Sequence, residues 1–224
     1  MKFETLNITG WEGAILGLRI PMCSNWKEAK EKSDSDFNED FPFPRIGPKD
    51  LDLMKRLVKA DSGKGGYGQP NAKYLRMIHV QAVVTAPAYW WTQADTYKVS
   101  TVTLSTSKMH TLYKNPIMSE CFEADPEDAL PEITEPNFVW EEWLLPTLED
   151  LRQKYNETKN KAYWDKLLKM LPESWLQQRI WDLDYATIRM MYQQRKNHKL
   201  KEWNTDFVNW VKSLYLAPVL LTEE

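Results

Sequence analysis

Alternating apolar side chains are clearest in residues 74–85, which predict a β-strand. One face of this strand carries Ile78, Val80, Ala82 and Val84. The opposite face is also largely apolar, so we expect a central strand of a sheet. Pro87 is expected to open the next helix, because proline is favoured at the first helical position.

The N-terminal part of the chain gives shorter signals. Apolar runs in residues 1–22 indicate one or two strands, and residues 24–48 are polar and contain prolines, which predicts a mobile loop. Asp50 is expected to be the N-cap of a helix, because apolar residues follow it at helical spacing.

Helical periodicity dominates the C-terminal half. Apolar residues predict helices at 144–155, around 167–171, at about 173–195 and at 200–214. Strands early and helices late indicate an α+β fold, with a central antiparallel or mixed sheet and a helical C-terminal half. We expect a single domain over residues 1–224, made of N-terminal strands and a mobile loop at 1–48, a strand-helix pocket half at 49–112 and a helical half at 138–216.

Charge and cysteine usage narrow the class of protein. A net charge of −3 over 224 residues argues against general nucleic-acid binding. Cys23 and Cys121 lie far apart in the chain, which indicates free thiols in a reducing compartment. No apolar run approaches the ~20 residues that span a membrane, and the N-terminus lacks the apolar core of a signal peptide. We therefore expect a cytoplasmic protein that binds neither nucleic acid nor membrane.

Familiar catalytic and metal-binding patterns are missing from the sequence. Its three histidines show no paired spacing of a metal site, and it has no G-x-S-x-G elbow of a hydrolase. In the segment S-G-K-G-G-Y-G-Q-P at 62–70 no Ser or Thr follows Lys64, as a phosphate loop requires, so a flexible turn is predicted. His79 lies mid-strand and is predicted to be a core histidine.

Two polar segments are candidates for binding a phosphate. The run V-S-T-V-T-L-S-T-S-K-M-H at 99–110 places several hydroxyl groups next to a lysine. A polar strand or turn explains that run equally well. The stretch I-R-M-M-Y-Q-Q-R-K-N-H-K at 188–199 is rich in cations that suit phosphate, and the cationic end of a helix is the alternative explanation.

The segment A-P-A-Y-W-W-T-Q-A-D-T-Y-K at 86–98 predicts a helix with unusual faces. Tyr89, Gln93 and Tyr97 share one face by their spacing of four residues. Another face combines Trp91 with charged residues. Adjacent tryptophans indicate either burial or a surface on which a planar ligand stacks.

Taken in order, these segments resemble the flavin-dependent thymidylate synthases. Ala86-Pro87 and Gln93 match the turn and the glutamine of that family. Downstream, Leu171-Pro172, Arg195, His198 and Glu202 stand in the family's order. The resemblance covers residues 50–215 and implies the fold of that family and its nucleotide pocket.

The chain also departs from the family's pattern. Thr96-Tyr97-Lys98 stand where the family's R-H-R triplet grips the flavin, and Thr103-Leu104 replace an Asn-Glu pair. Thr106 keeps a hydroxyl group, and Lys108 stands where the family has an arginine. We therefore expect a retained pocket without a flavin, a metal or a catalytic residue.

The loss of the triplet, beside the retained Arg195, His198 and hydroxyl run, indicates a nucleotide-binding protein without catalysis. We expect it to capture or sequester a phosphorylated nucleotide, with signalling nucleotides among the candidates, as some viral proteins do. The alternative is an active enzyme that methylates deoxyuridine monophosphate with FAD. A homo-oligomer is expected, because the family forms homotetramers. The ligand-binding residues implied are Arg76, Gln93, Tyr97, Lys98, Ser105, Thr106, Ser107, Lys108, Arg189, Arg195 and His198. Arg195 is expected to contact the phosphate.

Overall fold

The computed structural model describes residues 1–38, 43–61, 70–123 and 138–222. Their contacts divide them into two compact units. The first unit contains Met1, Val84–Tyr97 and Leu104–Arg179. The second contains Lys2–Val83, Lys98–Thr103 and Ile180–Glu224. The predicted turn at 62–70 lies, except for Pro70, outside the described residues.

A four-stranded sheet is formed by β1 (Lys2–Thr9), β2 (His79–Pro87), β3 (Thr101–Ser105) and β4 (Leu176–Asp184), in the order β1-β2-β4-β3. The sheet is antiparallel: Tyr185, just past the end of β4, donates its N–H to the oxygen of Ile78 at the start of β2, at 2.9 Å. At the opposite ends of these strands, Gln178 Nε2 donates to Thr85 Oγ1. The predicted α+β class is confirmed. The strand predicted at 74–85 is observed as His79–Pro87, because Lys73–Met77 form a 3-10 turn.

Helices of the second unit pack around buried apolar side chains. They are α1 (Trp11–Arg19), α2 (Trp26–Lys32), α3 (Pro48–Ala60), α8 (Tyr185–Arg195), a π-helical turn (Glu202–Phe207) that runs into α9 (Val208–Ser213), and α10 (Ala217–Leu220). Short 3-10 turns occupy Ile20–Met22 and Lys73–Met77. The side chain of Asp184 caps α8 by accepting the N–H of Thr187 at 2.7 Å, which satisfies a backbone donor of the first turn. The predicted stripe of apolar residues at 200–214 is confirmed as helical.

The first unit contains the remaining helices. They are α4 (Ala88–Ala94), α5 (Lys108–Thr111), a 3-10 turn (Ser119–Cys121), a π-helical turn (Phe138–Leu144), α6 (Leu145–Thr158) and α7 (Lys161–Met170). Its core joins α6 and α7 to the chain after α5 through Leu112, Ile117, Phe122, Leu148, Leu151 and Leu167. The two helices predicted around Leu148 and Leu167 are thus confirmed. No helix among the described residues is long and apolar enough to cross a membrane.

Two predictions for the N-terminal region are wrong. Residues 11–19 form α1 instead of a second strand, because Trp11, Ala14, Ile15 and Leu18 are buried at the spacing of one helical face. The predicted loop at 24–48 contains α2, which Asn25 caps by accepting the N–H groups of Lys27 and Glu28.

Three helix boundaries also differ from prediction. Residues 176–184 form β4 rather than part of a helix at 173–195, because Trp181 and Leu183 are buried on one face of a strand. Helix α3 begins at Pro48 after Gly47, so Asp50 lies inside the first turn and is not the N-cap. Pro87 ends β2 and precedes the first residue of α4.

Candidate functional site

The candidate ligand-binding residues are distributed over both units. The first unit contains Gln93, Tyr97, Ser105, Thr106, Ser107 and Lys108. The second contains Arg76, Lys98, Arg189, Arg195 and His198. Each unit has a polar cluster with its own hydrogen bonds.

In the first unit, Thr106 is bound to the beginning of β4. Its N–H and its hydroxyl both donate to the oxygen of Gln178, at 2.9 and 3.2 Å. Gln177 Nε2 in turn donates to the oxygen of Thr106 at 2.9 Å. The hydroxyl run is therefore a strand, β3, followed by a turn that β4 holds in place.

The aromatic helix α4 faces Arg179 with one of its tryptophans. The guanidinium carbon of Arg179 lies 4.1 Å from the centre of the buried Trp91 ring, and Arg179 Nη1 donates to Asp95 Oδ1 at 2.8 Å. Trp91 Nε1 donates to the oxygen of Gln177 at 3.0 Å. Trp91 and Asp95 thus serve to hold an arginine, a cation–π contact combined with an ion pair. Sequence reasoning missed Arg179 because it lay in a predicted helix.

In the second unit, Arg195 and His198 both contact Trp203. The guanidinium carbon of Arg195 is 4.6 Å from the centre of the Trp203 ring, and the ring of His198 meets Trp203 edge-on. Burial lowers the pKa of His198, the positive charges of Arg195 and Lys199 lower it further, and Glu202 acts in the opposite direction. His198 Nδ1 accepts the N–H of Leu200 at 3.2 Å, which requires the unprotonated nitrogen.

His79 is not the core histidine that the sequence predicted. It is half-exposed, and its Nδ1 lies 2.9 Å from Asp182 Oδ1 on the neighbouring strand. Gln81 Nε2 donates to the other oxygen of Asp182 at 3.0 Å. The face of β2 that carries His79 is therefore polar at this end. The prediction was wrong because alternation in the sequence does not show whether the second face of a strand is covered or open to solvent.

A cavity of about 700 Å³ lies in the second unit between the end of α1, α3 and the turn before β2. Its apolar wall includes Leu18, Met22, Leu53, Leu57 and Met77. Its basic residues are Arg19, Lys32, Lys73 and Arg76. No carboxylate is among the described residues that line it. Of the candidates from the sequence, Arg76 lines this cavity.

Two of these four cations are held by acids outside the cavity wall. Arg19 Nε donates to the buried Asp50, and Lys32 Nζ donates to Glu28 at 2.6 Å, which raises the pKa of Lys32. Among the described residues, Lys73 forms no ion pair. An anion inside the cavity would therefore meet fixed positive groups and at least one lysine without a carboxylate partner in the described part of the chain.

The buried Arg189 also belongs to the surroundings of the cavity. Burial raises the pKa of Tyr74, and the positive charge of Arg189 acts on Tyr74 in the opposite direction. Tyr74 lines the cavity and donates its hydroxyl to the oxygen of Met54 at 3.2 Å. Arg76 is thus the candidate that the structure brings to this cavity, and the charge of Arg189 acts on Tyr74 of its lining.

Comparison with known proteins supports the fold. No known protein-family profile matches the chain, and no curated protein sequence is significantly similar to it. Among solved structures, the chain is similar to the flavin-dependent thymidylate synthase ThyX of Helicobacter pylori, in two crystal structures that contain FAD and dUMP. The identities are 17% and 16%, the TM-scores 0.60 and 0.61, and each alignment covers 100% of this chain and 98% of the other.

The chain has the fold of a flavin-dependent thymidylate synthase. The expectation drawn from the order of its motifs is confirmed. The alignments extend beyond residues 50–215, so the N-terminal helices that form the cavity lie within the shared fold.

The segment that the resemblance matches to the family's flavin triplet carries little positive charge in this chain. Lys98 is the one cation among Thr96, Tyr97 and Lys98. The hydroxyl of Thr96 donates to the oxygen of Gln93 at 2.7 Å, at the end of α4. This segment offers one charge-assisted donor where the family has three.

Proposed function

We propose that this protein binds a phosphorylated nucleotide in the cavity of the second unit. The observation that carries the proposal is the combination of an apolar wall with four basic side chains and no carboxylate among the described lining residues. Apolar surface suits the flat faces of a base, and arginine and lysine suit a phosphate. A volume of about 700 Å³ falls within the range of small-molecule sites.

The role we propose is capture rather than catalysis. The motive is the loss of two of the three cations at the flavin triplet, in a chain that has four cations around a cavity. A protein that binds a signalling nucleotide without converting it would lower the free concentration of that nucleotide, as sequestering viral proteins do. We propose a homotetramer in the cytoplasm as the working form.

The alternative is an active flavin-dependent thymidylate synthase. It is favoured by the similarity to an enzyme whose structures contain FAD and dUMP. In this alternative the purified protein would contain flavin and would methylate deoxyuridine monophosphate. Capture predicts nucleotide binding without turnover.

The test is calorimetry with a panel of mono-, di- and cyclic nucleotides on wild type and three variants, Lys73→Gln, Lys55→Gln and Leu57→Trp. Lys73→Gln removes a cation of the cavity, and Lys55→Gln removes an exposed lysine of α3 that does not line it. A charge-assisted contact is worth ~1.5–3 kcal/mol, so Lys73→Gln should weaken binding about tenfold to a hundredfold. Lys55→Gln should leave the affinity unchanged.

Two results would contradict the proposal. One is that wild-type protein binds no nucleotide of the panel. The other is that a nucleotide binds equally well to wild type, to Lys73→Gln and to Leu57→Trp, a variant that places a large ring at the cavity wall. In that second case the ligand would occupy another site, and the cluster of Arg195 and His198 would be the next to test, by Arg195→Ala.

A further inference from the structure

Asp50 is a fully buried carboxylate in the first turn of α3, and its two oxygens accept hydrogen bonds from two different segments. Oδ1 accepts from Arg19 Nε at the end of α1. Oδ2 accepts from the hydroxyls of Ser33 and Ser35, both at 2.6 Å, and from the N–H of Asp34 at 3.2 Å. One side chain therefore connects the end of α1, the chain after α2 and the start of α3.

Both connected segments supply a cation to the cavity. Arg19 lines it directly, and Lys32 lines it one residue before Ser33. We infer that Asp50 is the positioning residue of the cavity, which orients Arg19 so that its guanidinium can meet the phosphate of a ligand. This inference rests on the proposed nucleotide site.

The geometry of Arg19 leaves donors for a ligand. A guanidinium has five N–H donors, and Asp50 accepts from the one on Nε. Among the described residues the side chain of Arg19 makes no other hydrogen bond. The four N–H groups on its terminal nitrogens are therefore not used by Asp50, and a side chain fixed at Nε loses little further freedom when a phosphate binds.

The segment after Lys32, which hydrogen-bonds to Asp50 Oδ2, is also hydrogen-bonded to the residues at the start of α3. Asp34 accepts the N–H groups of Lys49 and Asp50 at 2.9 and 3.0 Å, and the hydroxyl of Ser35 accepts the N–H of Gly47 at 3.0 Å. A Cβ on Gly47 would lie 2.2 Å from Asp34, so this close approach requires glycine. Residues 33–35 are thus clamped against the start of α3.

Positioning and simple electrostatics predict opposite effects of removing the charge of Asp50. A negative charge near a phosphate repels it, so electrostatics alone predicts tighter nucleotide binding in Asp50→Asn. If Asp50 positions Arg19, the same substitution should weaken binding at least tenfold. Asp52→Asn is the matched control, because Asp52 is exposed on the same helix and pairs with Arg56 at 2.9 Å.

A double-mutant cycle separates positioning from a general loss of structure. Calorimetry measures the affinity of the tightest nucleotide of the panel for wild type, Arg19→Gln, Asp50→Asn and the double variant. If Asp50 acts through Arg19, the double variant binds no more weakly than Arg19→Gln, within about twofold. Additive losses, or an affinity for Asp50→Asn equal to or above that of wild type, would overturn the inference.

Arg19→Lys keeps the test decisive if Asp50→Asn does not fold. This variant keeps the positive charge and leaves the two serine hydroxyls that donate to Asp50 in place. Arginine can bind Asp50 with one nitrogen and a phosphate with the other two, whereas lysine has a single nitrogen. Positioning predicts at least a tenfold weaker affinity, whereas an unchanged affinity would overturn it. Wild type that binds no nucleotide removes the proposed function itself, and wild type that binds with these variants unaffected removes the role of Asp50 alone.

Discussion

Two arginines of the first unit are each fixed by a carboxylate and a second group. Arg179 pairs with Asp95 and stacks on Trp91. Arg152 pairs with Glu149 at 2.6 Å and also donates to the oxygen of Tyr113. Fixed guanidinium groups have already lost most of their side-chain freedom on folding, so a ligand that contacts one pays less for ordering it.

His198 provides a prediction at the same scale, in the pH dependence of stability. Its pKa in the folded protein is lowered, chiefly by burial and then by Arg195. The unfolded chain, with an ordinary histidine pKa near ~6.5, therefore binds more protons as the pH falls. The contribution of His198 to the free energy of unfolding should be fully present above about pH 6.5 and should decrease as the pH falls below it.

The measurement is urea unfolding of wild type and His198→Asn between pH 5 and 8. The asparagine oxygen can still accept the N–H of Leu200 but does not titrate. The wild type should lose more stability on acidification than the variant. His110→Asn, at an exposed position on α5, should keep the wild-type profile, and parallel curves for wild type and His198→Asn would show that His198 makes no contribution.

Of the residues that line the proposed site, the sequence suggested one as a candidate. Arg76 was among the predicted ligand-binding residues, and it lines the cavity. Arg19, Lys32 and Lys73 were not predicted, because they come from three separate segments of the chain and belong to no common motif. Their common role depends on the packing of α1 and α3, which a single sequence does not reveal.

Helices and strands were predicted well where the buried residues recur at the regular spacing of one helix face or one strand face. The alternation in β2 and the apolar stripes of α6 and α9 gave those elements correctly. The strand β4 was missed because its sequence L-Q-Q-R-I-W-D-L-D places polar residues on both faces, with burial concentrated at its C-terminal end. Helix α1 was missed because its short apolar run fits a strand as well as a helix.

The junction between β1 and α1 leads to a prediction about a single glycine. Gly10 has φ +89°, and a Cβ at this position would lie 1.8 Å from the oxygen of Met77. Both the left-handed backbone and the close approach therefore require glycine. Gly10→Ala should destabilise the protein by ~2–5 kcal/mol, from backbone strain and overpacking together.

Gly13→Ala is the matched control within α1. Its Cβ would lie 3.1 Å from the end of the flexible Met77 side chain, which can move. Alanine also favours a helix by up to ~1 kcal/mol over glycine, so the change in the free energy of unfolding should stay within about 1 kcal/mol. Equal losses in the two variants, measured by urea unfolding, would contradict the role of the Gly10 backbone.

At the scale of the whole molecule, the chain shares a fold with proteins to which its sequence is little similar. An identity of 16–17% over the full chain shows that few individual side chains are needed to specify this arrangement of sheet and helices. Two proteins can share a fold through a common pattern of buried residues and still bind different ligands, because ligand recognition depends on a few polar groups. The prediction of a single domain over residues 1–224 stays a prediction.

The content of flavin in the purified protein is the last prediction. Thr96 and Tyr97 replace two of the three cations that grip the flavin in the family. Each missing charge-assisted contact costs ~1.5–3 kcal/mol, so the affinity for FAD should be lower by a factor of ~100 or more. As-purified protein should therefore show little absorbance near ~450 nm, the flavin band, and mass analysis of released small molecules should find little FAD.

A variant that combines Thr96→Arg, Tyr97→His and Lys98→Arg restores the triplet and should bind FAD more tightly in a titration. Stoichiometric flavin in the wild type would favour the active enzyme over the capture of a nucleotide.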